Sequence, residues 1–329
     1  MRTALLKHGP RAAAALTALV LAASLGGPAA AGTAAGTAAD SAAATGGADL
    51  GRWAPVPVDV KVTASGIKAP LSARAGLVSF RVTTDDPNGH LLQAFRPHPG
   101  VSADQVLADL AKAVSHQPVP TAEGIAAVRD RAELFGGAQV TPSVAETFTT
   151  PVGAGEVVLL DFSAFLADPA HPVTRTLRLY GGRTYEAPDG TIGTGSPISA
   201  DGPAGVAGSL VLERDTADGP RFEVHGLDRA GDSILVHNAS DELHEMALQP
   251  VAPGTTDAQI QAVFDRAAPG PLPYTGRPVG AGIVSPGRSV LLETRNLPPG
   301  TYVLLCFVPD DVTGLPHAIK GMHQVVVLT

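Results

Sequence analysis

The chain has 329 residues, 44% of them hydrophobic and 16% charged, enough for two domains with sizeable cores and too apolar for general disorder. A formal net charge of −8, with no basic run, excludes nucleic-acid binding through a basic footprint. A single cysteine excludes an internal disulfide framework, and 37 Gly with 29 Pro point to short strands joined by loops.

The N-terminus reads as an export signal, residues 1–31. Arg2, Lys7 and Arg11 form a basic start, Ala12 to Leu25 an apolar run too short for a membrane span, and Ala29 to Ala31 a small-residue cleavage site. Cleavage there leaves 20 Lys+Arg against 31 Asp+Glu, a net charge of −11 on a secreted, extracytoplasmic protein. Residues 32–52 are Ala, Gly, Thr, Ser and Asp with almost nothing to bury, a flexible linker. No later segment is long and apolar enough to cross a bilayer.

The remainder repeats itself. His90, Pro99, Gly100 and Gln105 coincide without a gap with His244, Pro253, Gly254 and Gln259. Upstream, Leu77 to Val82 matches Gly231 to Val236. Downstream, Gly155 to Phe162 matches Gly300 to Phe307 at five of eight positions. Ordered matches at similar separation indicate a duplicated domain, residues 53–200 and 201–329.

Apolar alternation predicts strands over 58–63, 78–83, 156–162, 222–225, 234–237, 289–293, 302–307 and 324–328. After each Pro-Gly a helical pattern starts. Ser102 caps one helix with Val106, Leu107, Leu110 and Val114 on a face; Thr255 or Thr256 caps another with Ile260, Val263 and Phe264 inward. A second helix in the first copy is expected over 123–134. Each copy therefore reads as an all-β sandwich with a short helical insertion.

Cys306, His317 and Met322 lie along one loop entering the last strand, and His244 comes from a strand end 62 residues before the cysteine. Two imidazoles, a thiolate and a weak thioether suit copper cycling between two oxidation states. At these residues the second copy resembles the cupredoxins, the blue-copper proteins. The order Cys, His, Met before the last strand, and a His following an Asn-bearing strand end, carry the resemblance. It implies two tandem Greek-key sandwiches, one type 1 copper on His244, Cys306, His317 and Met322, and Asn238 as a hydrogen-bonding brace of the thiolate loop. It also implies His317 near the surface as the electron exit. Ten residues between Cys306 and His317, more than in most cupredoxins, require a bulge near Pro309 to Asp311.

In the first copy Asp161 stands where Cys306 does, with His171 near the position of His317 and Thr176 near that of Met322. No blue-copper site can form there, though His90, Asp161 and His171 could take a harder ion such as zinc. No two of the ten histidines are two apart, which excludes a trinuclear copper cluster, and Leu305 before Cys306 removes the His-Cys link of copper nitrite reductases. The expectation is a non-enzymatic one-electron carrier with a redox partner protein. Two other readings remain open: a copper-handling protein with a copper donor or acceptor, and a metal-free interaction module of the cell envelope.

Overall fold

A computed structural model describes residues 55–181, 208–268 and 270–329, with the backbone of two short strands between them. The expected signal and linker, residues 1–52, lie outside the described residues. The first copy runs β1 (Val56–Thr63), β2 (Gly66–Lys68), β3 (Ser72–Arg74), β4 (Gly76–Thr84), β5 (His90–Pro97), α1 (Ala103–Ala113), α2 (Pro118–Arg131), β6 (Ala132–Val140), β7 (Ala145–Val152), β8 (Gly155–Asp161), α3 (Phe162–Ala167) and β9 (Thr174–Tyr180). A small hairpin follows, β10 (Tyr185–Glu186) and β11 (Ile192–Gly193). The second copy runs β12 (Ser209–Thr216), β13 (Gly219–His225), β14 (Ser233–Asn238), β15 (His244–Pro250), α4 (Asp257–Phe264), β16 (Val279–Val284), β17 (Ser289–Arg295), β18 (Gly300–Leu305) and β19 (His323–Leu328).

Two large sheets form the body of the described residues, and each runs through both copies. One has the order β13-β12-β14-β17-β7-β4-β1-β2 and the other β19-β18-β15-β16-β6-β5-β8-β9-β3. Read from the centre outwards, the halves mirror each other: β17, β14, β12, β13 against β7, β4, β1, β2, and β16, β15, β18, β19 against β6, β5, β8, β9. The duplication read in the sequence is thus a pseudo-twofold in the fold. The copies join by antiparallel pairing of β16 with β6 and β17 with β7.

Period-2 burial puts the sheets face to face. Val58, Val60 and Val62 of β1 and Val78, Phe80 and Val82 of β4 point inward, with Asp59, Arg81 and Thr83 outward. Phe80 stacks on Phe148 of β7 at 4.7 Å. β5 and β15 are buried almost throughout because helices cover their outer faces: α1 and α2 in the first copy, α4 in the second, where Ile260 packs on Ala247, Val303 and Leu305. Ser102 and Thr256 cap α1 and α4, each in a capping box with the glutamine three residues on. α2 differs from expectation. Pro118 at its first turn starts it early, and Ala132 to Leu134 belong to β6 instead.

The junction is held by buried polar groups. Gln93 Nε2 donates to the carbonyls of Gly136 and Ile283, and its Oε1 accepts from the Ile283 amide at 2.7 Å. Gly282 has to be glycine, since a Cβ there would lie 2.8 Å from Gln93 Oε1 and 3.0 Å from the Gly137 Cα. The buried Glu146 accepts from the amides of Gln139 and Gly280, one from each copy, and burial pushes its carboxyl well above the usual range.

Candidate metal centre

His244 opens β15 at the point where a β-bulge interrupts its pairing with β16. The chain enters it through residues 239–243, which Asn238 pins. Asn238 is fully buried; its Nδ2 donates to the carbonyls of Glu242 and Val284, and its Oδ1 accepts from the amide and hydroxyl of Ser240. Asn238 therefore braces the approach to His244; none of these bonds reaches the thiolate loop, where the resemblance had placed its role.

Cys306 follows β18 directly. Its amide reaches the carbonyl of Met322 at 3.4 Å, and the Met322 amide donates to the carbonyl of His317 at 2.9 Å. The residues between close into a small hairpin: His317 N bonds Val308 O, Pro309 bridges Pro316, and Asp310 N bonds Leu315 O. The added length of the loop is thus folded out as a closed tip. The Asp310 carboxylate holds that tip, accepting from the amides of Val312 and Thr313, the Thr313 hydroxyl and Lys320.

The consequence is convergence. His244 Nδ1 lies 3.6 Å and His317 Nδ1 3.5 Å from Cys306 Sγ, with the two rings 4.5 Å apart between centroids. These are three donors within 4.8 Å of one another. His244, Cys306, His317 and Met322 are each 0% exposed. Met322 shares the core cluster of Cys306. The four form a cluster typical of a type 1 copper site.

The protein groups alone leave this arrangement incomplete. The thiol can donate to one imidazole nitrogen facing it and accept from the other, which uses one nitrogen of each ring. His244 Nε2 is buried without a partner. Burial and the nearby His317 push His244 down to about 2, so the ring is neutral and can offer a lone pair. Burial, and then the charges of Glu245 and Glu213, push the Cys306 thiol well above its usual range; the Glu245 amide at 3.4 Å from Sγ partly offsets this. A thiolate there needs a cation beside it, and copper fits that need.

Glu242 is the residue that sequence reasoning missed. Its Oε2 lies 3.0 Å from His317 Nε2, and this hydrogen bond holds Glu242 below the ordinary carboxylate value. Donation from Nε2 leaves the Nδ1 lone pair directed at the cysteine, which is the tautomer a metal ligand requires. The same contact covers the residue expected to be the electron exit. His317 is sealed by Glu242 and the hairpin and does not reach the surface. Asp310 completes a trio with Glu242 and His317, but its oxygens are taken by Thr313 and Lys320. Nothing in the sequence but proximity to His244 could have flagged Glu242.

In the first copy, His90 and Asp161 do meet. His90 Nδ1 lies 2.9 Å from Asp161 Oδ2 and Nε2 lies 3.5 Å from Asp86 Oδ2, neither aligned as a hydrogen bond. His171 stands apart, exposed and paired with Asp168 at 2.8 Å. Among the described residues, His90, Asp161 and His171 form no three-donor cluster. The counterpart of Met322 is Val173, whose carbonyl accepts from Asp161 N as that of Met322 does from Cys306 N; Thr176 lies three residues further along β9. Two further histidines have structural partners: His323 bonds Asp257 and Gln261 of α4, and His237 bonds Ser289.

No family model matches the chain, and no curated protein matches it. Solved structures do. Auracyanin from Roseiflexus castenholzii is 20% identical over 36% of this chain and 94% of its own, with a TM-score of 0.23. Rusticyanin from Thiobacillus ferrooxidans is 19% identical over 36% and 76%, with a TM-score of 0.22. Copper nitrite reductase from Nitrosomonas europaea is 10% identical over 84% and 94%, with a TM-score of 0.23. Superposition this loose carries no weight by itself; the sheet order and the donor geometry do. Together, the duplicated two-sheet sandwich and the buried cluster of two imidazoles, a thiol and a thioether agree with the cupredoxin resemblance read in the sequence.

Proposed function

We propose that the chain is an exported copper protein that passes single electrons to and from a redox partner through one mononuclear type 1 copper. The ligands are His244, Cys306, His317 and Met322, in a domain spanning 201–329; the domain spanning 53–200 is a degenerate copy without a site. The convergence of His244 Nδ1, Cys306 Sγ and His317 Nδ1 in a sealed core carries this reading.

Bound there, copper would supply a one-electron couple. The protein's part is to keep the donors in place in both oxidation states. Strand ends β15 and β18 fix His244 and Cys306, Glu242 fixes the tautomer of His317, and the Glu245 amide donates to the sulfur. Complete burial of all four donors leaves no side open to a substrate or to an incoming metal carrier. It therefore favours electron transfer over catalysis or copper delivery.

The test is titration of residues 32–329 with Cu(II), followed by visible and EPR spectroscopy, beside Cys306→Ser. An intense thiolate charge-transfer band at one copper per chain, absent from Cys306→Ser, is expected. Wild-type protein that shows no such band and binds neither Cu(II) nor Cu(I) stoichiometrically would sink the proposal.

A further inference from the structure

The first copy has lost its donors, yet its helix α2 touches the metal hairpin of the second at two places. Arg129 of α2 pairs with Asp311 on the hairpin, both side chains partly buried. Gly314 at the hairpin tip sits against the start of α2, with φ +68°; a Cβ there would lie 2.2 Å from Pro118 O. The Asp311 amide in turn donates to Glu242 Oε2 at 3.3 Å, the same oxygen that receives His317 Nε2 at 3.0 Å. A chain of polar contacts thus runs from α2 to a donor of the metal centre: Arg129, Asp311, Glu242, His317.

We propose that α2 of the first copy positions the metal hairpin of the second, with Arg129 as the positioning residue acting through Asp311 and Glu242 on His317. The first copy then does for the site what a longer ligand loop cannot do alone. Ten residues between two donors are enough to let His317 wander, and the Asp310 turn fixes the hairpin internally but not against the sheets. The Arg129 pair and the Gly314 seat supply that second anchor. The inference rests on the copper reading for its spectroscopic consequence but not for the anchoring itself, and the experiment separates them.

The variants are Arg129→Ala, Arg129→Lys and Asp311→Asn in residues 32–329, with Arg214→Ala, which loses only the pair with Glu223, as control. Two readouts are taken. The first is amide hydrogen exchange of residues 310–317 in metal-free protein. The second is the charge-transfer band and the copper dissociation rate after loading. A single ion pair contributes little to global stability, so the melting temperature should move little. Arg129→Ala and Asp311→Asn should speed hairpin exchange about tenfold and copper loss by a similar factor, with a displaced band. Arg129→Lys should fall between these and wild type. Exchange and band both unchanged in Arg129→Ala would overturn the proposal. If wild type takes up no copper, the copper reading fails, and exchange alone decides: faster in Arg129→Ala upholds the anchoring, unchanged overturns it.

Discussion

The two copies place the same strands around the same histidine and use them for different ends. In the second, the Glu245 amide, one residue past His244, donates to Cys306 Sγ. In the first, the Leu91 amide, one residue past His90, donates to the Ser163 hydroxyl at 2.7 Å. Where the second sends the chain from Cys306 into the hairpin, the first turns at once into α3, with Asp161 as its N-cap accepting from Ala164 N. A carboxylate serves that cap well because it meets free amides at a helix start. The position that holds an inward-facing thiol in the second copy thus holds a helix cap in the first. The loop that could have brought a second imidazole is the helix itself. The first copy therefore differs from the second in path as well as in ligand.

A less visible difference lies beneath the site. Glu213 of β12 pairs in register with Asn238 of β14; the corresponding pair in the first copy is Val62 with Thr84. Both Val62 and Glu213 are 0% exposed, but neither oxygen of Glu213 has a partner. Burial, then the charge of Glu245, raises the Glu213 carboxyl to about 8. The folded state thus keeps a proton that the unfolded chain releases near the ordinary carboxylate value. Stability falls as pH rises from about 4.5 to about 8, by roughly 1.4 kcal/mol per pH unit at most from this group. Glu213→Val makes the second copy like the first. Denaturant midpoints of metal-free protein should show the variant more stable by a few kcal/mol at pH 8 and the gap shrinking toward pH 5. A gap independent of pH would mean that Glu213 is not the group responsible.

A smaller effect tests whether the copies are one body. Gly282→Ala would push Gln93 off its bonds to Ile283 and crowd Gly137 across the junction, at an expected cost of about 2 kcal/mol. If the sheets are cooperative through β16 and β6, one unfolding transition should shift as a whole. Two transitions, only one of them displaced, would show that the copies melt separately.

How much of this was legible beforehand depends on range. The repeat, the capped helices and the strands with clean alternation follow from local pattern, and β1, β4 and β14 fall where alternation put them. β6 and β16 escaped because their Gly-rich, continuously buried sequence has no period to read; only the merger of the copies explains it. The four donors were legible because donor type and order are written along the chain. Glu242, Arg129 and Asp311 were not, since their roles arise from contacts across 69 and 182 residues that no spacing encodes. The full burial of His317 was not legible for a related reason: Glu242, one of the groups that cover it, lies 75 residues away.

The smallest expected effect is the sharpest test of the comparison. Asp161→Cys, placed in a Cys306→Ser background, restores the ligand that the first copy lacks at the position corresponding to Cys306. If ligand identity alone separated the copies, a thiolate–copper band should return, with His90 as one imidazole. The geometry argues that it will not. Val173 stands at the thioether position, and His171 is exposed on Asp168, leaving His90 as the sole imidazole at hand. α3 occupies the path the hairpin takes in the second copy. One thiolate and one imidazole are too few for a type 1 site, so Cu(II) titration should give no intense visible band. A band of type 1 intensity would show that the chain after Asp161 can rearrange to deliver a second nitrogen. The difference between the copies would then reside in one side chain and not in the path that follows it.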